Sequence, residues 1–193
     1  MMKLTWDTNC LISIESAGPS RAADKAALQR LLELHDQGQV QIRLSAGTGA
    51  EWQPDETYLQ NLQRFQDRRK KAGLGHLELL PAPARLGMSF LDNAVLVGDD
   101  FEDEIRSMFA VMFPGKSYDD RPESDESSQA YRDWRNRIID VEMYWSHLKN
   151  DGDLFVTRIS KDFIDGGRRE RLLEFGGRGI EVPTEAEEWL AQN

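Results

Sequence analysis

The order of apolar patterns in this 193-residue chain predicts an α/β protein, with a mainly parallel sheet carrying helices on both faces. Two kinds of segment alternate. Val40-Gln41-Ile42-Arg43-Leu44 has the two-residue period of a strand, and Leu77 to Leu80 and Leu154-Phe155-Val156-Thr157 are short apolar runs of strand length. Between them lie stretches with the three-to-four-residue period of amphipathic helices. An apolar content of 39% is enough for one substantial core, so the whole chain, 1–193, reads as a single domain.

Taken in order, Leu4-Thr5-Trp6 is a strand that ends at Asp7. Leu28, Leu31 and Leu32 mark a helix between a Ser20 cap and Gly38, and Val40 to Leu44 is the next strand. Pro54 suits a first helical turn, and Tyr58, Leu62 and Phe65 carry one face to about Gly73, ahead of the strand at Leu77 to Leu80. Ile105, Met108, Phe109 and Met112 form another helix, stopped at Pro114-Gly115. Ser117 to Ser128 is polar enough to be a mobile loop. From Ser127 onward, Tyr131, Trp134, Ile138, Val141, Trp145 and Leu148 recur every three or four residues, so one long helix buries a continuous stripe. Asp140 falls at the edge of that stripe, near Asn136 and Tyr144. After the strand at Leu154 come a short helix over Arg169 to Phe175, a strand at Ile180-Glu181-Val182, and a terminal helix opened by Thr184 and Glu187 as a capping box.

Composition narrows the setting. The only cysteine is Cys10, which excludes an intramolecular disulfide and fits a reducing, cytoplasmic location. The start lacks the apolar core of a signal peptide, and no stretch approaches the ~20 apolar residues of a membrane span. A formal charge of -10 argues against a general nucleic-acid binder, but the charge is uneven. Residues 99 to 126 carry a net -7 and the rest of the chain only -3. That acidic stretch is expected to lie in an insertion at about 85–130.

Asp7, Glu51 and Asp140 are the candidate functional residues. Asp7 and Thr157 both fall at the carboxyl ends of strands, where open α/β sheets bind ligands. Carboxylates brought together repel one another unless a hard divalent cation, magnesium or manganese, lies between them. Each acid alone also has an ordinary explanation: Asp7-Thr8-Asn9 makes turns, Glu51 suits a helix start, and a helical aspartate is usually solvated.

Asp7-Thr8-Asn9 after the first strand, Glu51, Asp140 on a late helix, then Val156-Thr157 with Lys161-Asp162-Phe163 together resemble the PIN-domain ribonucleases. The tail from Gly179 to Glu187 resembles that family's closing strand and helix. Residues 85 to 130 have no counterpart in it. The resemblance implies a three-layer α/β/α fold in which carboxylates hold Mg2+ or Mn2+ and water hydrolyses RNA phosphodiesters. Asp7, Glu51 and Asp140 match the family's first three acids, with Asn9 and Thr157 in the polar supporting positions. The fourth acid is replaced by Ile159, and Asp162 is the nearest carboxylate. Asp162 is then either a ligand carried in on a lengthened loop or the family's less central aspartate. The resemblance further implies RNA, single-stranded or structured, as substrate, an inhibitory protein partner as in toxin-type members, and pairing into a homodimer. Because Ile159 stands where an acid is expected, the alternative is a PIN-like module that binds nucleic acid or protein with little or no turnover.

Other features carry less. Asp99 to Glu104 lacks the glycine and ligand spacing of a calcium loop and reads as a solvated helix start. Arg64, Arg68, Arg69, Lys70 and Lys71 either meet phosphates or, by a small margin the better reading, form a charged helix end, and Arg168, Arg169 and Arg171 offer a second basic patch near the site. Trp52 either stacks a base or packs at the core rim. Gly47 and Gly49 lack the Lys-Ser/Thr of a phosphate loop. His35, His76 and His147 show no ligand spacing and receive no chemical role.

Overall fold

The structure, a computed structural model, describes residues 1–50, 62–98, 100–123 and 126–193, and for Leu91 only its backbone. Glu51, Trp52, Pro54, Tyr58 and Asp99 lie outside the described residues. The chain runs β1 (Met2–Trp6), α1 (Thr8–Glu15), α2 (Ala22–Asp36), β2 (Val40–Ser45), α3 (Leu62–Lys71) and β3 (Glu78–Leu80). It continues through β4 (Ala82–Pro83), β5 (Ala94–Val95), α4 (Asp100–Met112), α5 (Gln129–Lys149) and β6 (Leu154–Val156). It closes with α6 (Ser160–Phe163), α7 (Arg168–Leu173), β7 (Gly179–Glu181) and α8 (Ala186–Gln192). No helix among the described residues is long and apolar enough to cross a membrane.

Five strands form one parallel sheet in the order β3-β2-β1-β6-β7, and β4 and β5 pair separately. Leu4 pairs with Ile42 on one side and Leu154 on the other, so β1 is central. Strand alternation then sorts the side chains by face. Leu4, Trp6, Ile42, Leu44, Leu154 and Val156 pack with Leu11 of α1 and with Leu28 and Leu31 of α2. Phe155 and Ile180 face the opposite way, onto Ile138, Val141 and Tyr144 of α5 and Leu172 of α7. Helices on both faces of a parallel sheet make the three-layer α/β/α arrangement that the alternating pattern and the resemblance led us to expect.

The topology reverses once. From β1 the chain steps outward to β2 and β3, then returns to lay β6 on the other side of β1 and steps outward again to β7. The carboxyl ends of β1 and β6 are therefore a topological switch point, where the flanking helices diverge to opposite faces and leave a crevice.

Several local expectations change. Ser20 does not cap α2, because Pro19–Arg21 form a 3-10 turn and the helix begins at Ala22 without a side-chain cap. Nor does Thr184 open a capping box: Glu185 precedes α8 without a side-chain cap, and Glu187 is taken by Arg30 at 2.6 Å. The polar stretch after Pro114 is tied down rather than loose as far as Arg121. Tyr118 is buried, Arg106 pairs with Asp119, and the Arg121 guanidinium lies over the rings of Tyr131 and Trp134. Its polarity was visible in sequence, but the aromatic surface that captures it comes from α4 and α5. The α4 helix packs Phe101, Ile105, Met108 and Phe109 into the same core as α5. Helix α1 and the short β4–β5 pair were not anticipated, since Asp7-Thr8-Asn9 reads equally as a turn and two-residue strands have no periodicity.

Ser128 caps α5, accepting from the Tyr131 amide at 3.2 Å. Removing the acceptor in Ser128→Ala is expected to cost about 1 kcal/mol of folding stability, read by urea unfolding. A second expectation concerns pH. Glu142 is buried on α5, and burial pushes its carboxyl up to about 7 against the opposing pull of Arg85, whose Nε donates to it at 2.8 Å. The folded protein thus holds this proton more tightly than the unfolded chain. That contribution to stability is complete below the ordinary value of 4.5 and is lost as pH rises through about 7. Unfolding free energies measured from pH 4.5 to 8 should show this loss in the wild type and not in Glu142→Gln.

Candidate metal and nucleic-acid site

Asp7 follows the last residue of β1 and caps α1, its carboxylate accepting from the Cys10 amide at 3.1 Å. The other carboxylate oxygen accepts from the Thr157 hydroxyl, the first residue after β6, at 2.5 Å. Thr157 Oγ1 accepts in turn from the Ile159 amide at 3.0 Å, so Ile159 contributes its backbone where the resemblance expected an acid. The Asp7 amide donates to Val156 O at 3.1 Å, which extends the β1–β6 ladder across the switch point. Asp7 is only 1% exposed. Burial raises its carboxyl above the usual range, opposed by the Thr157 hydroxyl and the amides of Cys10 and Asn9.

Asp140 is 8% exposed and lies on α5, three residues before Met143. The Met143 sulfur accepts from the hydroxyls of Thr8 at 3.6 Å and Thr48 at 3.5 Å. This part of α5 therefore sits over both the start of α1 and the 3-10 turn Ala46–Ala50 that follows β2. Arg135 fixes the end of that turn, donating to Ala50 O at 3.1 Å, immediately before Glu51. Gly47 and Gly49 are there for close packing. A Cβ on Gly47 would meet Met143 Cγ at 3.0 Å, and one on Gly49 would meet the Phe90 ring at 2.5 Å.

Asp140 opens on a cleft of about 460 Å³. One wall is α5, with Asp133, Asn136, Arg137 and Asp140 at i, i+3, i+4 and i+7. Opposite lie the end of α4, from Met112 to Pro114 with Lys116, and residues Lys161, Asp162 and Arg168 that follow β6. Asp162 is partly buried, which pushes its carboxyl up against the opposing charges of Lys161, Arg168 and Arg137. Arg168 bridges two helices, donating to Met112 O at 3.1 Å and to Asp165 O at 2.6 Å. Lys116, Arg137, Lys161 and Arg168 against Asp133, Asp140 and Asp162 leave the cleft with a net positive charge in a chain of charge -10.

The predicted residues separate into two groups. Asp7 and Thr157 form a buried, hydrogen-bonded pair at the switch point, with Asn9 half-buried next to them in the chain, whereas Asp140 and Asp162 line the cleft. Among the described residues, Asp7, Asp140 and Asp162 do not bring their oxygens within 4.8 Å of one another as a set of three; His35, Asp36 and His76 do bring their ligand atoms that close. Lys116, Asp133 and Arg137 were missed in the sequence. The i, i+3, i+4, i+7 spacing that ends at Asp140 is the signal that could have found two of them. Of the predicted basic groups, Arg68 pairs with Glu15 at 2.6 Å and Arg69 is buried against Leu74 O and Leu77 O. Arg169 pairs with Glu181 at 3.0 Å, so from the second patch Arg168 alone lines the cleft.

A scan against protein-family models and a search of curated proteins each return no match.

Asp7 is both a helix cap and a candidate ligand, and substitution separates the two. Asp7→Ala should lose about 1 kcal/mol of stability through the missing cap, whereas Asp7→Ser, which keeps an acceptor for the Cys10 amide, should lose only a fraction of that in urea unfolding.

Proposed function

We propose that this chain is a magnesium- or manganese-dependent ribonuclease that hydrolyses RNA phosphodiester bonds at the crevice between β1 and β6. The observation that carries this reading is a single juxtaposition. A buried aspartate, Asp7, sits at the switch point, its neighbour Thr8 bonded to Met143 three residues beyond Asp140, and the cleft on which Asp140 opens combines Asp140 and Asp162 with four cationic side chains. The chain is acidic, so this local excess of positive charge suits a polyanion, and the interspersed acids suit its metal ion. The order of Asp7, Glu51, Asp140 and Thr157 along the chain, similar to that of PIN-domain ribonucleases, adds support.

The donor chemistry fits a hard divalent ion. All the candidate ligands are carboxylate oxygens, and the cost of ionising Asp7 in its buried setting is one that a neighbouring cation would offset. Asp7 and Asp140 are the residues we assign to hold it, with Glu51 as ligand or water-orienting base and Asp162 as the remaining carboxylate on the cleft. Such an ion lowers the pKa of a bound water and neutralises charge that develops on phosphoryl oxygens. The chain supplies the rest. The Thr157 hydroxyl and the Cys10 and Asn9 amides orient Asp7. Lys116, Arg137, Lys161 and Arg168 hold successive phosphates by charge, leaving base identity to other contacts. The separation of Asp7 from Asp140 and Asp162 among the described residues favours one other reading, a module of the same fold that binds RNA without cleaving it.

Incubating labelled single-stranded RNA with the protein in manganese, in magnesium and in chelator decides between them. Metal-dependent cleavage that falls to the chelated background in Asp7→Ser and in Asp140→Asn is the expected result. Binding without cleavage in any metal, across several RNAs, would leave the binding module. Binding itself should be salt-sensitive: Lys116→Ala or Arg137→Ala should lower the slope of log affinity against log salt by about 0.7 for each phosphate that is no longer neutralised.

A further inference from the structure

His35 and Asp36 end α2, and His76 lies in the turn before β3, forty residues further on. Folding brings their ring nitrogens and a carboxylate oxygen within 4.8 Å of one another. The two imidazoles are 5.5 Å apart, centre to centre, tilted by 32°, and His76 Nε2 is 3.6 Å from Asp36 Oδ1. The group lies by the first residue of β2 and just ahead of β3, at the opposite end of the parallel sheet from Asp7 and Thr157.

His35 is held in a way that suits coordination. Its Nδ1 is 3.3 Å from Val40 O and 3.2 Å from the Ile42 amide, so the first residues of β2 offer that nitrogen both an acceptor and a donor. The Ile42 amide can only donate, so without an ion Nδ1 accepts and Nε2 carries the proton; an ion taken at Nε2 requires that proton to move to Nδ1, where Val40 O stands in place to receive it. A backbone carbonyl that receives the second ring N–H is the usual support of a metal-bound histidine. The turn that carries His76 is also fixed in advance, since Arg69 donates to Leu74 O at 3.4 Å and also to Leu77 O. Little ordering is left for a ligand to impose.

We propose that His35, Asp36 and His76 form a zinc-class transition-metal site, distinct from the magnesium- or manganese-type crevice and independent of the nuclease reading. Two imidazoles and one carboxylate are the donor set of borderline ions such as Zn2+, whereas Mg2+ prefers oxygen alone. Three protein ligands leave a coordination position to solvent, and the side chains of His76 and Asp36 are 50% and 68% exposed, so an ion can enter without any opening of the fold. The ion would cross-link the end of α2 to the turn before β3. The remaining imidazole and the thiol do not compete. His147 and Cys10 are both fully buried, out of reach of an ion arriving from solvent.

The test is calorimetric titration of chelator-treated full-length protein with Zn2+ and with Mg2+ at pH 7.5, beside His76→Gln and Asp7→Ser, with thermal unfolding of each. We expect one Zn2+ per chain and a rise in melting temperature on addition of zinc. The affinity should drop by about tenfold or more in His76→Gln and hold in Asp7→Ser, and Mg2+ should not compete. His76 is half exposed, so His76→Gln should melt like the wild type in chelator and lose only the rise with zinc. Absence of saturable Zn2+ binding, undiminished binding in His76→Gln, or loss of binding in Asp7→Ser would each overturn the site. Whether RNA is cleaved does not enter any of these readouts.

Discussion

The pairing of β1 with β6 is the constraint on which the rest of the structure depends. Their hydrogen-bond ladder runs on past Trp6 and Val156 through the Asp7 amide, and the side chains of Asp7 and Thr157 close it with one more bond. Asp7 thereby completes the sheet, starts α1 and stands at the point where the chain's two directions of winding separate. A carboxylate in so dry a place is unfavourable on its own. Three donors, the Thr157 hydroxyl and the amides of Cys10 and Asn9, are committed to supporting it.

The long helix α5 is the second organising element. Its buried stripe, from Tyr131 to Tyr144, packs against the sheet and α4, which leaves a narrow polar seam to line the cleft. Met143 and Arg135 lock that helix to the turn after β2, and Arg85 and Tyr118 lock the middle segment to it through Glu142. The acidic middle of the chain is thus built into the site: its last helical turn, Met112, and Pro114 with Lys116 form one wall of the cleft. Part of its negative charge is paired at the surface, Glu102 with Arg106 and Arg106 with Asp119.

Much of this was legible in sequence where periodicity is strong and local. The sheet strands β2 and β6, the helices α2, α4 and α5, and the position of Asp140 at the edge of a buried face all follow from spacing that any compact packing must respect. Short elements were not legible, because β4 and β5 are too brief to show a period and α1 opens with residues that serve a turn equally well. Caps failed where competition decided: Glu187 could have closed a box with Thr184, but Arg30 from a distant helix claims it. Two basic residues of the cleft were missed for a similar reason. Lys116 follows α4 and Arg137 lies on α5, and charge in one dimension does not reveal that they meet Lys161 and Arg168 at one cleft.

By itself the sequence determined the α/β class, the central apolar strands and the presence of acids at strand ends and on the late helix, because these rest on residue type and interval alone. Only the tertiary structure decided that β6 lies beside β1. That one long-range pairing puts the Thr157 hydroxyl on Asp7 at the switch point. It also decided that His35, Asp36 and His76 are neighbours, although the last two stand far apart along the chain. The physical reason is common to both cases: side-chain chemistry is written along the chain, but proximity arises from burying two faces of one sheet.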